Sequence, residues 1–187
     1  YLKPLCDGTG MSCFAMTEPE VAGSDPTLIR TKAIQDGDEW VINGHKWFIS
    51  NARRAKFAIL ICRTEDDPDL PQAANTAFIV DIPSEGWNRV REVETMHGAT
   101  GHSEIVIEDL RVANTHMLGG RGQGHLLGQY RLGPARSAPF MRWLAHPAPA
   151  LDMTVARSLY PHAQSTCSRH GEGLPRLVAA RGYGSDT

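Results

Sequence analysis

The chain carries almost no net charge: 19 lysines and arginines stand against 21 acidic residues over 187 positions, a formal charge of −2. Such a balance provides no bulk attraction to nucleic acid or to an anionic membrane surface. Also missing is any apolar run near the roughly 18 residues of a membrane span, and the opening residues do not read as a signal peptide. The four cysteines, Cys6, Cys13, Cys62 and Cys167, lack paired spacing, so reduced thiols in a cytoplasmic protein are expected rather than a disulfide framework. Cys13 and Cys62 lie in apolar runs and read as buried core residues. Of the eight histidines, His45, His97, His102, His116 and His125 are scattered, with neither an i, i+4 pair nor a nearby cysteine pair, so no metal site is expected.

What remains is an ordinary globular composition, 41% apolar and 21% charged, long enough for one domain with a real core. Tyr1 to Leu5 reads as a last helical turn closed by Asp7-Gly8. From Ser12 to Val112 the signals are those of strands. Thr31 to Ile34 and Glu39 to Ile42 flank the hairpin signal Asp36-Gly37. Asn43-Gly44 marks a tight turn or bulge, after which Lys46 to Ser50 continues as strand. Ala58 to Cys62 is a continuous apolar run suited to a buried strand. Glu65 to Ala74 reads as an exposed loop, Thr76 to Ile82 as a strand, Gly86-Trp87 as the start of the next and Ser103 to Leu110 as the last. Short strands with frequent turns predict a barrel or sandwich.

Asn114 to Gly128 reads as loop. Its run Gly119-Gly120-Arg121-Gly122-Gln123-Gly124 has neither G-x-G-x-x-G spacing nor a Walker ending, which argues against a dinucleotide fingerprint. A helix is expected from Leu126, broken by Pro139, Pro147 and Pro149 because an interior proline costs about 3 kcal/mol; a helical pattern returns over Leu151 to Leu159. Residues 160–187 read as an irregular solvated tail whose arginines, Arg169, Arg176 and Arg181, outnumber its acids. The pattern there suggests a truncated or frame-shifted end.

The stretch with most chemistry is Cys13 to Asp25. An apolar run ends at Thr17, breaks at Glu18-Pro19, and passes into a small-residue loop closing on Gly23-Ser24-Asp25. Glycine permits close backbone approach, and successive amides with a serine hydroxyl suit an anionic or polyoxygenated ligand. Taken alone, such a stretch is more often a plain strand-to-loop transition.

Met16-Thr17-Glu18-Pro19 followed by Ala22-Gly23-Ser24-Asp25 resembles the flavin-contacting signature of the acyl-CoA dehydrogenases. Two more segments resemble the same family in the same order: Trp40-Val41-Ile42-Asn43-Gly44-His45-Lys46-Trp47-Phe48-Ile49-Ser50-Asn51, and Gly122-Gln123-Gly124-His125. The likeness runs from about Tyr1 to about Ser158, with a first loop one residue longer than the commoner form. It implies a mainly β fold: a middle-domain-like β barrel of short antiparallel strands over residues 12–118. Residues 1–11 would end a helical domain, 119–159 would form part of another, with broken helices, and 160–187 would be tail.

The resemblance also implies chemistry. Family members oxidise acyl-CoA thioesters across the α,β bond with FAD as hydride acceptor, pass electrons to an electron-transferring flavoprotein, and associate as homo-oligomers. By matched position, Phe14, Met16 and Thr17 would line the flavin ring, with Thr17 able to hydrogen-bond it. Gly23 and Ser24 would meet the pyrophosphate or the substrate. Phe48, or its neighbour Trp47, would pack on the ring, and Ser50 would add a hydroxyl at its reactive edge. Strand alternation puts one of the two aromatics in the core. Arg136 matches a substrate-contacting arginine, although a surface helical arginine reads equally well from its surroundings. No catalytic glutamate is identifiable: the position preceding the matched arginine is Ala135, and Glu18 and Glu20 belong to the first motif and its loop. The expectation is therefore an acyl-CoA dehydrogenase-like flavoprotein incomplete as it stands, the alternative being a non-catalytic binding or assembly module or a degenerate remnant.

Overall fold

The computed structural model describes residues 1–158 apart from 67, 68, 97 and 146. His97, Cys167, Arg169, Arg176, Arg181 and the whole expected tail lie outside the described residues. The chain divides into two units, one spanning Tyr1–Tyr130 and one beginning at Arg131.

The first unit opens with a short helix, α1 (Leu2–Cys6), and is otherwise built from eight strands. These are β1 (Ser12–Ala15), β2 (Lys32–Asp36), β3 (Glu39–Ser50), β4 (Phe57–Arg63), β5 (Asn75–Asp81), β6 (Trp87–Thr95), β7 (Gly98–Ala113) and β8 (Met117–Leu118). They form one sheet in the order β6-β7-β3-β2-β4-β5-β8, with β1 paired to β4. The fold is mainly β, as expected, but two details are corrected. The sheet is not closed into a barrel, because β6 and β8 stand at opposite ends of the hydrogen-bonded order and are not paired with each other. Nor are the strands uniformly short and antiparallel: β3 has 12 residues, β7 has 16, and both β1 and β2 pair with β4 in parallel.

Local chemistry accounts for most of the elements. The β2–β3 hairpin turns at Gly37, whose φ of 64° suits a residue without Cβ, so that Asp36 pairs with Glu39. Central β4 is flanked on both sides, which explains its nearly continuous apolar run. Alternation along it feeds two cores. Leu60 and Cys62 join Trp40, Ile42, Phe78, Val80, Ile105 and Leu110 on one face. Ile59 and Ile61 join Ile29, Ala77, Phe14, Met16, Leu118 and Leu127 on the other. Cys13 and Cys62 are indeed buried, and burial pushes both thiols up to about 12.

The loop expected over Asn114 to Gly128 is shorter than predicted: Met117–Leu118 pairs with β5, and helix α2 runs Gly124–Ala145. Pro139 does not break α2, and neither does Pro134. Helical residues on the far side of residue 146 are α3 (Pro147–Ser158). Pro149 lies within α3 and does not break it. No helix among the described residues is long and apolar enough to cross a membrane.

Candidate functional site

Where β1 ends, its continuation Met16-Thr17-Glu18 is gripped by one segment of β3. The Trp47 amide donates to the Thr17 carbonyl at 3.0 Å, and Lys46 Nζ donates to the Met16 carbonyl at 2.9 Å. The same ammonium donates to Glu18 Oε1 at 2.8 Å, and neither side chain of this ion pair is more than 1% exposed. Glu18 collects three further donors: the Thr31 amide (2.9 Å) and hydroxyl (2.6 Å) on Oε1, and the Arg30 amide (2.7 Å) on Oε2. Burial pushes this carboxyl up, but the Lys46 charge and the hydrogen bonds from Lys46, Thr31 and Arg30 outweigh it and hold Glu18 below its ordinary value. Burial likewise pulls Lys46 below its ordinary value, against the Glu18 carboxylate. Four donors converging on one buried carboxylate satisfy the condition under which an interior ion pair stays charged. Gly44 makes room for the arrangement, since a Cβ there would lie 2.3 Å from Thr31 Oγ1.

Beyond Lys46 the strand departs from regular pairing with β7, with a register shift between Lys46 and Ile49. Phe48 takes φ 53° and Asn51 φ 66°, left-handed values that cost a non-glycine residue stability. The expected alternation fails at this bulge. Lys46 and Ile49 are buried, whereas Trp47 is half-buried and Phe48 is 42% exposed, so neither aromatic faces the core fully. Their rings meet edge to face with centroids 5.0 Å apart. Phe48 also approaches the His102 ring at 6.2 Å, and His102 Nδ1 is 2.9 Å from Ser50 Oγ.

The motif loop folds back on the same edge. Gly23 packs against Thr17, for a Cβ on Gly23 would lie 3.2 Å from Thr17 Cγ2. Asp25 caps the helical turn Pro26–Leu28 through the Thr27 amide (3.0 Å) and hydroxyl (2.6 Å). Farther out, His45 bridges Glu20 and Glu104, each at 2.8 Å, and Arg91 also bonds Glu104. Burial works to lower His45, but the two carboxylates win and raise it above its ordinary value.

The structure thus brings Met16, Thr17, Gly23, Trp47, Phe48 and Ser50 to one edge, with Ser24 beside Gly23 and Phe14 on the Met16 face of β1. Arg136 is exposed on α2 in the second unit, as is Ala135. Sequence reasoning gave no site role to Lys46, Thr31, Gly44 or His102, which build the edge. The residues present fit a flavin: an exposed aromatic ring, a glycine backbone lying on Thr17, and serine hydroxyls at positions 24 and 50. Among the described residues no group of three or more metal-ligating side chains occurs.

The first unit is thus a mixed β sheet with an aromatic bulge clamped beside a Thr-Glu-Pro segment that continues β1. The model of the acyl-CoA dehydrogenase middle domain matches residues 13–110, and the chain belongs to the acyl-CoA dehydrogenase family. It is 39% identical over 160 residues to the protein named "Probable acyl-CoA dehydrogenase FadE2" of Mycobacterium tuberculosis, covering 84% of this chain and 39% of that protein. Acyl-CoA dehydrogenase family member 11 of Gallus gallus is 34% identical over 187 residues, covering 96% of this chain and 24% of the relative. Among solved structures, butyryl-CoA dehydrogenase from Megasphaera elsdenii matches with a TM-score of 0.61 and 31% identity, over 67% of this chain and 32% of that one. The chain therefore spans between 24% and 39% of the length of these three proteins.

Proposed function

We propose that this chain supplies the flavin- and thioester-facing β domain of an FAD-dependent acyl-CoA dehydrogenase, with residues 12–118 as that domain and 119–159 as the opening of a helical one. The observation that carries the reading is the strained bulge at Trp47–Phe48, which leaves an aromatic ring exposed and tethers it beside Met16 and Thr17. FAD, when bound, supplies the acceptor for the hydride that leaves the acyl chain. Phe14, Met16, Trp47 and Phe48 offer the apolar lining, and Thr17 and Ser50 offer hydroxyls to the ring. Gly23 and Ser24 offer backbone and hydroxyl to phosphate or substrate, and Arg136 offers a cation to the acyl-CoA. By family resemblance the electron-accepting partner would be an electron-transferring flavoprotein, and the protein would act as a homo-oligomer. The buried free thiols Cys13 and Cys62 agree with a cytoplasmic setting.

The test is the visible absorbance spectrum of the purified protein before and after excess FAD and desalting. A retained flavin band is the expected result, and its bleaching by an acyl-CoA would extend the reading to turnover. A protein that stays colourless refutes the flavin site.

A second reading, a binding or assembly module without turnover, is favoured by one observation. The two glutamates of the first motif and its loop are already engaged, Glu18 by Lys46, Thr31 and Arg30, and Glu20 by His45. Neither is placed to abstract an α-proton. Flavin retained without any bleaching by acyl-CoA would select this second reading.

A further inference from the structure

Ser50 and His102 lie on opposing strands, directly paired at the end of β3, and their side chains meet at 2.9 Å. The backbone around them is unusually constrained. Asn51, at φ 66°, donates its amide to the Gly101 carbonyl at 3.0 Å, and Gly101 itself stands at φ 84°. Together with Phe48 at φ 53°, three residues in left-handed conformations surround one exposed hydroxyl. Local strain of this kind persists only where neighbouring contacts over-determine it, and it clusters where a side chain must be aimed. The Phe48 ring lies beside the imidazole, with ring centroids 6.2 Å apart.

A serine hydroxyl has one proton, and a neutral imidazole has one N–H. If Nδ1 lacks the proton, Ser50 gives its own to the imidazole and has none to offer elsewhere. If Nδ1 carries it, the imidazole donates to Oγ, and the Ser50 proton is released toward a third partner. The tautomer of His102 therefore decides whether Ser50 is a donor or only an acceptor to whatever occupies the edge.

We propose that His102 is a positioning residue for the Ser50 hydroxyl, and that its Nδ1–H form directs the Ser50 proton to an acceptor atom of the bound flavin ring. This rests on the flavin reading given above and adds to it a residue that the sequence motifs leave out. His102 touches the ligand only through Ser50. The dyad makes the hydroxyl a switchable donor, whereas a serine facing solvent would rotate freely.

The experiment uses the full chain and two readouts. The first is the ¹⁵N shifts of the His102 ring in the wild type, with and without FAD, and in Ser50→Ala. Nδ1 is expected to change from acceptor to donor character on FAD addition in the wild type, and to show no such change in Ser50→Ala. The second is the FAD dissociation constant and the position of the flavin's visible band. His102→Phe is expected to weaken binding about fivefold, the equivalent of one neutral hydrogen bond, and to shift the band. His102→Asn, whose amide reaches the position of Nδ1, should restore both. The double variant Ser50→Ala/His102→Phe should bind no worse than either single, because the two residues act as one unit. Unchanged affinity and band position in His102→Phe would overturn the positioning role alone, with the flavin reading intact. Ring shifts that ignore Ser50→Ala would overturn the dyad. A wild type that takes up no FAD would overturn the flavin reading and the ligand assigned to Ser50.

Discussion

Replacing Lys46 by methionine keeps the length of the side chain and removes its charge and its two hydrogen bonds, to Met16 and to Glu18. What remains is a carboxylate only 2% exposed, still surrounded by the Thr31 and Arg30 donors but without its counter-charge. Breaking a buried pair from one side costs about 3–5 kcal/mol. Total stability for a domain is about 5–15 kcal/mol, so the variant should stand near the limit of folding. With a urea slope of about 2 kcal/mol per molar, the midpoint should fall by about 1.5–2.5 M. Tryptophan fluorescence is a suitable probe, since Trp40 is buried in the core and Trp47 adjoins the lysine. The pH dependence supplies a second check. In the wild type Glu18 is held below its ordinary value, so its stabilisation is present above the unfolded value of roughly 4.3 and is lost as pH falls through the lower folded value. In Lys46→Met the buried carboxyl should rise above the unfolded value, so the variant's penalty grows as pH increases through that window. The two proteins should therefore converge at low pH and differ most near neutrality. Glu18→Gln combined with Lys46→Met should lose less than the sum of the singles, by about 2 kcal/mol or more. A midpoint shift below about 0.5 M, a gap that ignores pH, or strict additivity would refute the reasoning.

The neighbouring residues give further tests. Gly44→Ala should destabilise by about 1–3 kcal/mol in urea melts, because the new methyl would lie 2.3 Å from Thr31 Oγ1, a β-branched side chain with little room to move. Thr31→Val should cost about 1–3 kcal/mol by removing a donor to Glu18, while Thr31→Ser should cost clearly less; equal losses would count against the hydroxyl's role. His45 is raised by Glu20 and Glu104, so its stabilisation is complete below about pH 6.5 and is lost as pH rises through the higher folded value. At a partly exposed site the increment should be under about 1 kcal/mol, and His45→Gln should flatten the pH 6 to 8 profile. Cys13 and Cys62, buried with thiols at about 12, should react with a thiol reagent only after unfolding, whereas exposed Cys6 should react at once; native labelling of Cys13 would refute their core placement.

Much of the sheet was legible because its signals are local. A glycine turn sets the β2–β3 hairpin and an unbroken apolar run makes β4, whereas Asn43-Gly44 neither turns nor bulges β3: the extra residue at that register shift lies on β7, which advances from Leu110 to Ile107 while β3 advances from Ile42 to Gly44. Closure was not legible. Whether a sheet becomes a barrel depends on edge strands such as β6 and β8, whose pairing is not encoded in the period of either.

The buried pair of the candidate site shows where a local pattern carried more than motif matching drew from it. Trp40 and Ile42 are core residues, and a period of two continues through Gly44 to Lys46, placing a lysine on the inner face. An inward lysine in a β strand requires a buried acid, and Glu18, directly before Pro19 at the end of an apolar strand, is such an acid. Treating Glu18 and Lys46 as members of separate motifs hid this electrostatic requirement. The parity then switches, with Ile49 buried instead of Phe48. That switch requires an extra residue in the strand, which places the bulge between Lys46 and Ile49 and turns the Phe48 ring outward. The buried ion pair and the exposed aromatic ring are thus two consequences of one strand geometry. Lys46 fixes the strand against Met16 from inside, and the bulge immediately after it presents the exposed Phe48 ring.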